Sequence, residues 1–271
     1  MQIARVFPRK TKASPTDSLA YFSGPGLFPP SVDAVHISIA FTWDLPQAEI
    51  LYKQWKSVAP IRIGGPATGM RGEDFTPGKY LSPGYVITSR GCPNRCWFCC
   101  VWKRDGDIRE LPITQGSNIL DDNLLACSEQ HIRAVCSMLK NQRNVQFTGG
   151  LEAARLKDWH VDLLVSIKPK QIFFAYDTPQ DFEPLVEAGK KLLNAGFTKQ
   201  SHCLRCYVLI GYPKDTFALA HSRLTQALYV GFTPMAMLWR DVDGQYNHKW
   251  KELQRQWARP ALIYATSHCG R

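Results

Sequence analysis

The sequence predicts an α/β protein: a partial (β/α)6, TIM-like barrel preceded by a small N-terminal strand-helix-strand unit. Three observations lead there. Short apolar runs of strand length recur along the chain, stretches with apolar residues at helical spacing separate them, and repeated βα units imply a parallel sheet. A length of 271 residues with 45% hydrophobic content allows one large domain or one domain with a smaller appendage, and is ample for a buried core.

In the N-terminal unit, residues 34–41 (Ala-Val-His-Ile-Ser-Ile-Ala-Phe) read as a strand, and Ala48, Leu51, Trp55 and Val58 then recur at helical spacing. Pro60 stops the helix. Ile61 to Ile63 resume as a strand ending in Gly64-Gly65-Pro66, and the two strands are expected to be parallel. Residues 67–84 hold four glycines, two prolines and few large apolar groups, which places the linker there. The division is then a unit of residues 1–80 and a main domain of residues 81–271.

The main domain opens with a strand at 85–90, followed by an amphipathic helix over 124–140 with Leu124, Ile132, Val135 and Leu139 as its stripe. Asp121-Asp122-Asn123 reads as the cap of that helix. A strand at 145–149 and a helix near 159–167 come next. Strands near 171–177, 205–211 and 235–239 are separated by helices carrying Phe182, Leu185, Gly189, Leu192 and then Phe217, Ala220, Leu224, Leu228. A further strand at 261–265 brings the count to a partial barrel, too short for a closed eight-stranded one. Near the end, Trp250 and Trp257 accompany Lys249, Lys251, Arg255 and Arg259 in a helix that closes the open end of the sheet and stops before Pro260.

Composition narrows the setting. The first twenty residues carry Arg5, Arg9, Lys10 and Lys12 with no long apolar run behind them, so neither a secretory signal nor a membrane span is expected and the protein reads as cytoplasmic. Nine unevenly spaced cysteines fit free thiols or metal ligands better than a stapled extracellular fold. The net charge of +10 suits an anionic partner such as nucleic acid, and equally a solvated basic surface.

The chemistry gathers in one loop. The strand Tyr85 to Arg90 runs directly into Gly91-Cys92-Pro93-Asn94-Arg95-Cys96-Trp97-Phe98-Cys99, so the thiols emerge at a strand's carboxyl end, where function collects in parallel α/β folds. Three thiolates can each hold one iron of a cubane cluster and leave the fourth iron to another ligand. A structural zinc site is the alternative; Cys100 or the Cys203-x2-Cys206 pair would have to complete its four ligands.

These residues resemble the radical S-adenosylmethionine (SAM) superfamily, whose signature Cys-x3-Cys-x-aromatic-Cys is matched by Cys92, Cys96, Phe98 and Cys99. The resemblance covers residues 81–240 in strand order as well as motif. It implies a [4Fe-4S] cluster on the three cysteines, with SAM on the open iron through its amino and carboxylate groups. One-electron reduction then cleaves the sulfur to C5′ bond and yields a 5′-deoxyadenosyl radical. An electron donor such as a flavodoxin or ferredoxin is implied. By the same resemblance Phe98 packs near the adenine, and Thr148-Gly149-Gly150-Leu151-Glu152 stands for the Gly-Gly-Glu-like segment that holds the SAM amino group. Leu151 is an insertion relative to that pattern, so Gly149 and Gly150 fit it better than Glu152. Tyr176, Asp177 and Arg205 are the implied contacts to the ribose and carboxylate, each equally readable as a structural hydrogen-bonder.

Other signals are weaker. Cys203, Cys206, Cys127 and Cys136 read as packing thiols, and Cys100 is unassigned. The loop Val101 to Arg109 mixes aromatic and basic groups able to stack a base and pair a phosphate. The unit ending in Gly64-Gly65-Pro66 looks like a fragment of a cobalamin-binding domain, but no Asp-x-His-x2-Gly segment supplies a cobalt ligand, which argues against cobalamin. The expected substrate is a nucleobase or nucleoside. Peptide or small-molecule tailoring is a second enzyme reading, and a non-catalytic zinc-bound nucleic-acid module is a third.

Overall fold

The computed structural model describes residues 1–241, 243–258 and 263. The chain divides into two compact units, Met1–Gly116 and Ser117–Arg271. The division falls well after residue 80, and the cysteine loop belongs to the first unit.

The first unit holds β1 (Ile3–Val6), β2 (Ala20–Tyr21), β3 (Ala34–Ser38), α1 (Leu45–Trp55) and β4 (Ile61–Gly64). These strands form a parallel sheet in the order β2-β1-β3-β4. β1 and β2 extend the strand-helix-strand expected from the sequence. Alternation along the strands sets the two faces. Ala4, Val6, Val35 and Ile37 turn inward and meet Ala48, Leu51 and Trp55 of α1 in a closed apolar cluster. Trp55 is wholly buried, donates Nε1–H to the Ser23 carbonyl at 3.0 Å and sets its ring edge-on to Tyr21 at 4.8 Å.

The opposite face of this sheet is polar. Arg5 donates to the carbonyls of Gly78 and Lys79, both at 3.0 Å, and pairs with Asp17. His36 Nδ1 lies 2.5 Å from the Tyr80 hydroxyl, and Arg62 pairs with Glu73. The glycine-rich stretch read as a linker is therefore a strap held on the sheet's second face. Beyond it come β5 (Tyr85–Val86), β6 (Ser89–Arg90), α2 (Val101–Arg104) and β7 (Arg109–Glu110). The strand expected at 85–90 is thus broken at Ile87-Thr88.

The second unit holds β8 (Asn118–Ile119), α3 (Glu129–Leu139), β9 (Gln146–Leu151), α4 (Asp158–Ile167), β10 (Gln171–Ala175), α5 (Phe182–Asn194), β11 (Leu204–Ile210), α6 (Phe217–Val230), β12 (Thr233–Leu238) and α7 (His248–Gln256). β8 to β12 lie side by side in chain order, and every pairing among them is parallel. The parallel α/β arrangement predicted from the sequence is present. Ile172, Phe174, Leu204, Cys206, Val208 and Ile210 are essentially inaccessible to solvent, as expected of strands covered on both faces.

Two expectations need correction here. The helix read over 124–140 begins only at Glu129, because Leu124–Ala126 form a separate 3-10 turn and Cys127 is extended. Its cap is Ser128, whose side chain accepts from the His131 amide at 3.2 Å, and not Asp121-Asp122-Asn123. The strand expected at 261–265 lies outside the described residues apart from Ile263.

α7 covers the edge strand β12. Ala236 donates its N–H to the Trp257 carbonyl at 3.3 Å, Gln254 Nε2 donates to the Ala236 carbonyl at 3.3 Å, and Trp250 stacks on Phe217 at 4.1 Å. Such cover occupies backbone groups that an open edge would offer to another chain. Among the described residues no helix is long and apolar enough to cross a membrane.

Trp55→Ala should remove about 3 to 5 kcal/mol of stability from the first unit, since it empties the largest side chain of that core. Urea denaturation followed by far-UV circular dichroism measures the loss.

Candidate functional site

The cysteine loop is a hairpin closed at its base. Ser89 and Arg90 of β6 pair antiparallel with Glu110 and Arg109 of β7, and the Leu111 amide donates to the Thr88 carbonyl at 2.8 Å. Thr88 and Ser89 are fully buried. Immediately after β6 the chain turns at Gly91, whose φ of +87° and whose approach to Asp107 exclude any larger residue. A Cβ there would sit 2.2 Å from the Asp107 carbonyl oxygen. The turn lets the Cys92 amide donate to the Gly106 carbonyl at 3.0 Å.

Local bonds then shape the loop. The Cys99 amide donates to the Cys96 carbonyl at 3.1 Å, and the same carbonyl accepts from Trp102 Nε1 at 3.0 Å. Phe98 is half-buried and meets Trp97 edge-on at 5.3 Å, while Trp97 is exposed. Cys92, Cys96 and Cys99 are half-buried and Cys100 is exposed. Burial pushes the Cys99 thiol up to about 11, and Cys100, Cys96 and Cys92 all lie near enough to add to that rise. Among the described residues no group of three His, Cys, Asp or Glu side chains is drawn together tightly enough to hold a metal ion. The donor set on the loop is nonetheless all sulfur, the ligand type that iron-sulfur clusters take.

Sequence reasoning missed what holds this loop in place. Asp105, almost wholly buried, accepts from Arg104 Nε at 2.6 Å and from the Gly72 amide at 2.8 Å. Arg109 donates to the Gly72 carbonyl at 2.6 Å, and Arg90 Nε donates to the Glu73 carbonyl at 3.1 Å. The strap segment 72–73 thus grips the hairpin's base through backbone groups. Only the Arg104-Asp105 pair, between the cysteines and Gly106, left any trace in the sequence.

In the second unit, the Gly149-Gly150 pair lies within β9 and not after it. Phe147 faces Ile172 and Leu151 faces Phe174, so Thr148, Gly149 and Gly150 bulge opposite a single residue of β10. A Cβ on Gly149 would sit 2.3 Å from the Asp121 carbonyl oxygen, and Gly150 has a φ of +97°. Backbone geometry therefore requires both glycines.

The other predicted contacts already have partners within this unit. Glu152 Oε2 accepts from Asn123 Nδ2 and from Arg155 Nε, both at 2.6 Å. The buried Tyr176 donates its hydroxyl to Gln226 at 2.7 Å. Asp177 Oδ1 accepts from the Leu209 amide at 2.8 Å, and burial pushes its carboxyl up to about 6, with Asp181 adding to the rise. Gly149, Gly150, Glu152, Tyr176 and Asp177 lie toward the carboxyl ends of their strands. Arg205 does not: it stands at the amino end of β11, facing Phe173 in register, and donates to the His202 carbonyl at 2.9 Å. Four residues of strand, on the order of 13 Å, separate it from Leu209, the partner of Asp177.

A buried ion pair at the carboxyl edge also escaped the sequence reading. Arg223 of α6 meets Asp215 at 2.9 Å with both side chains at most 7% exposed, and it donates to the Leu209 carbonyl at 2.9 Å. Asp181 accepts from the amides of Asp177 and Thr178, at 3.0 and 2.7 Å. The Thr-x-x-Asp spacing at 178–181 was its available signal. Cys203 and Cys206 are buried in the sheet, with the Cys203 thiol directed to the Pro169 carbonyl at 3.1 Å, in keeping with packing thiols. No protein-family model matches the chain, and no curated protein matches it in sequence.

Two outcomes follow. Asp105→Ala should cost about 3 kcal/mol, the cost of breaking a buried pair, and should speed hydrogen exchange at the Gly72 and Cys92 amides, read by mass spectrometry. Asp177 titrates in the fold near 6 instead of 3.8, so the native state binds its proton more tightly than the unfolded chain does. Its favourable contribution is complete below about pH 4 and is lost as pH rises through 6. Asp177→Asn, which keeps an acceptor for Leu209, should therefore gain roughly 2 kcal/mol over wild type at pH 7.5 and little at pH 4. Urea melts at the two pH values decide; an equal effect at both would refute the assignment.

Proposed function

We propose that this chain is a radical SAM enzyme in which Cys92, Cys96 and Cys99 hold a [4Fe-4S] cluster. The observation that carries the reading is the loop itself: three thiols at Cys-x3-Cys-x2-Cys spacing on one hairpin whose base β6 and β7 close. Three such thiolates leave one iron for SAM. When bound, the cluster and SAM supply the reductive cleavage that yields a 5′-deoxyadenosyl radical. The chain's own groups hold and orient. Gly91 and Asp105 fix the hairpin's base, Trp102 pins the Cys96 carbonyl, and Phe98 is the aromatic group assigned to the adenine. Gly149 and Gly150 present bare backbone for the SAM amino group, with Glu152, Tyr176 and Asp177 as polar neighbours along the same strand ends. Arg205 falls outside this set.

A partial barrel is the architecture this reading expects of the in-order parallel strands. A flavodoxin or ferredoxin serves as the electron donor. No cobalamin step is included, because the cobalt-ligating histidine segment is missing from the sequence. The substrate class favoured is a nucleobase or nucleoside, from the +10 charge and from Lys103 lying 5.3 Å over the Trp102 ring beside the cysteines.

Anaerobic reconstitution with iron and sulfide should give the broad visible absorbance of a [4Fe-4S] cluster, and dithionite with SAM should then release 5′-deoxyadenosine. Cys92→Ala, Cys96→Ala and Cys99→Ala should each abolish that release. Stoichiometric zinc with no cluster absorbance would sink the proposal in favour of a structural zinc site.

A further inference from the structure

Three basic residues stand in one row across the first sheet. Register sets Arg5 of β1 opposite His36 of β3, and His36 opposite Arg62 of β4, so all three project from the sheet's polar face. Neighbouring strands lie about 4.8 Å apart, and like charges facing each other across them repel. Each arginine has its own carboxylate, Asp17 for Arg5 and Glu73 for Arg62.

His36, between them and buried, meets a phenol instead. Its Nδ1 lies 2.5 Å from the Tyr80 hydroxyl, and the two rings stack with centroids 6.1 Å apart. Lys79 brings another cation, its Nζ 5.2 Å over the Tyr80 ring. The charged groups around His36 are thus Arg5 of β1, Arg62 of β4, Glu73 and Lys79 of the strap, and Asp17 from the segment before β2. Both carboxylates are taken by the arginines, and among the described residues none pairs with His36. Burial, then the fields of Lys79 and Arg62, lower the His36 pKa from 6.5, while Glu73 opposes them. A proton on His36 would complete a row of three positive charges.

The strap carries the consequence further. Gly78, Lys79 and Tyr80 are held on the sheet by Arg5 and His36. Gly72 and Glu73, at the other end of the same strap, hold the base of the cysteine hairpin through Asp105, Arg109 and Arg90. Sheet face, strap and hairpin all belong to the first unit.

We propose that His36 is a proton-operated clasp: a proton gained there loosens Tyr80 and the strap from the sheet, and with the strap the base of the hairpin that bears Cys92, Cys96 and Cys99. The unfolded chain binds this proton more tightly than the fold does, so the grip is complete above pH 6.5 and weakens as pH falls below it. The inference goes beyond the cluster reading, and its test needs neither iron nor SAM.

The experiment is hydrogen exchange of the full chain, read by mass spectrometry at about pH 7.5 and about pH 5.5, with each rate divided by the intrinsic rate at that pH. Protection of peptides spanning the Gly72 and Lys79 amides should fall by at least about threefold at the lower pH, and the Cys92 amide should follow, while α1 stays within about twofold. His36→Gln keeps an acceptor for the Tyr80 hydroxyl and cannot take the proton, so its strap should stay protected at both pH values. Tyr80→Phe, which keeps the ring and removes the hydroxyl, should show at pH 7.5 the loosened strap that wild type shows only in acid. Strap protection in wild type that does not change with pH, an equal loss in α1, or the wild-type pH response surviving in His36→Gln overturns the proposal.

Discussion

Parallel pairing is the constraint from which the second unit follows. Strands that run the same way cannot be joined by a tight turn, so each pair needs a crossover long enough to return the chain to its starting edge. The segments between β9, β10, β11 and β12 each carry such a helix, and their apolar stripes cover the sheet. One consequence is chemical. Every crossover leaves from the same edge, so Glu152, Tyr176, Asp177, Asp215 and Arg240 come from separate stretches of sequence to one side of the sheet. Arg205 belongs to the opposite edge for the same reason, because it starts a strand where Asp177 follows one.

The cysteine hairpin obeys a different logic. Between Gly91 and Ile108 few side chains are buried, so apolar packing cannot fix the backbone and polar bonds must. A two-residue antiparallel ladder closes the base, and Asp105, Arg109 and Arg90 tie it to Gly72 and Glu73. In a buried setting such bonds are demanding, since leaving one partner unmet costs more than the bond contributes. That asymmetry holds the loop to one geometry. The strap in turn is held by Arg5 and His36 from the first sheet, so the polar face of β1 and β3 stands behind the position of the thiols.

What could be read in the sequence divides along the same line. The apolar runs at Gln171–Ala175 and Leu204–Ile210 announced themselves because strands buried on both faces are nearly continuous in Val, Ile, Leu and Phe. The three cysteines were legible as a set because their spacing alone specifies a donor pattern. β1 was not legible, since Ile-Ala-Arg-Val is short and puts a charge where a strand reader wants an apolar residue. The strap was mistaken for a linker because the backbone carbonyls of Gly72, Glu73, Gly78 and Lys79 accept bonds from Arg109, Arg90 and Arg5, and a backbone acceptor leaves no mark in a sequence. The cap of α3 was misplaced because three good capping residues precede Ser128, and only the turn at Leu124–Ala126 decides among them. Gly149 and Gly150 were found for their resemblance, while the bulge and the close approach to Asp121 that require them depend on pairing between distant strands.

Charge completes the picture of the carboxyl edge. Its acidic groups are turned inward and used: Asp177 takes the Leu209 amide, Asp181 caps its own turn, Asp215 neutralises Arg223, and Glu152 gathers Asn123 and Arg155. A carboxylate so occupied contributes little negative field to an approaching ligand, because its charge is already met by donors within the fold. The sign of the edge as seen from solvent is thus set less by the count of acids and bases than by which of them the fold has already satisfied.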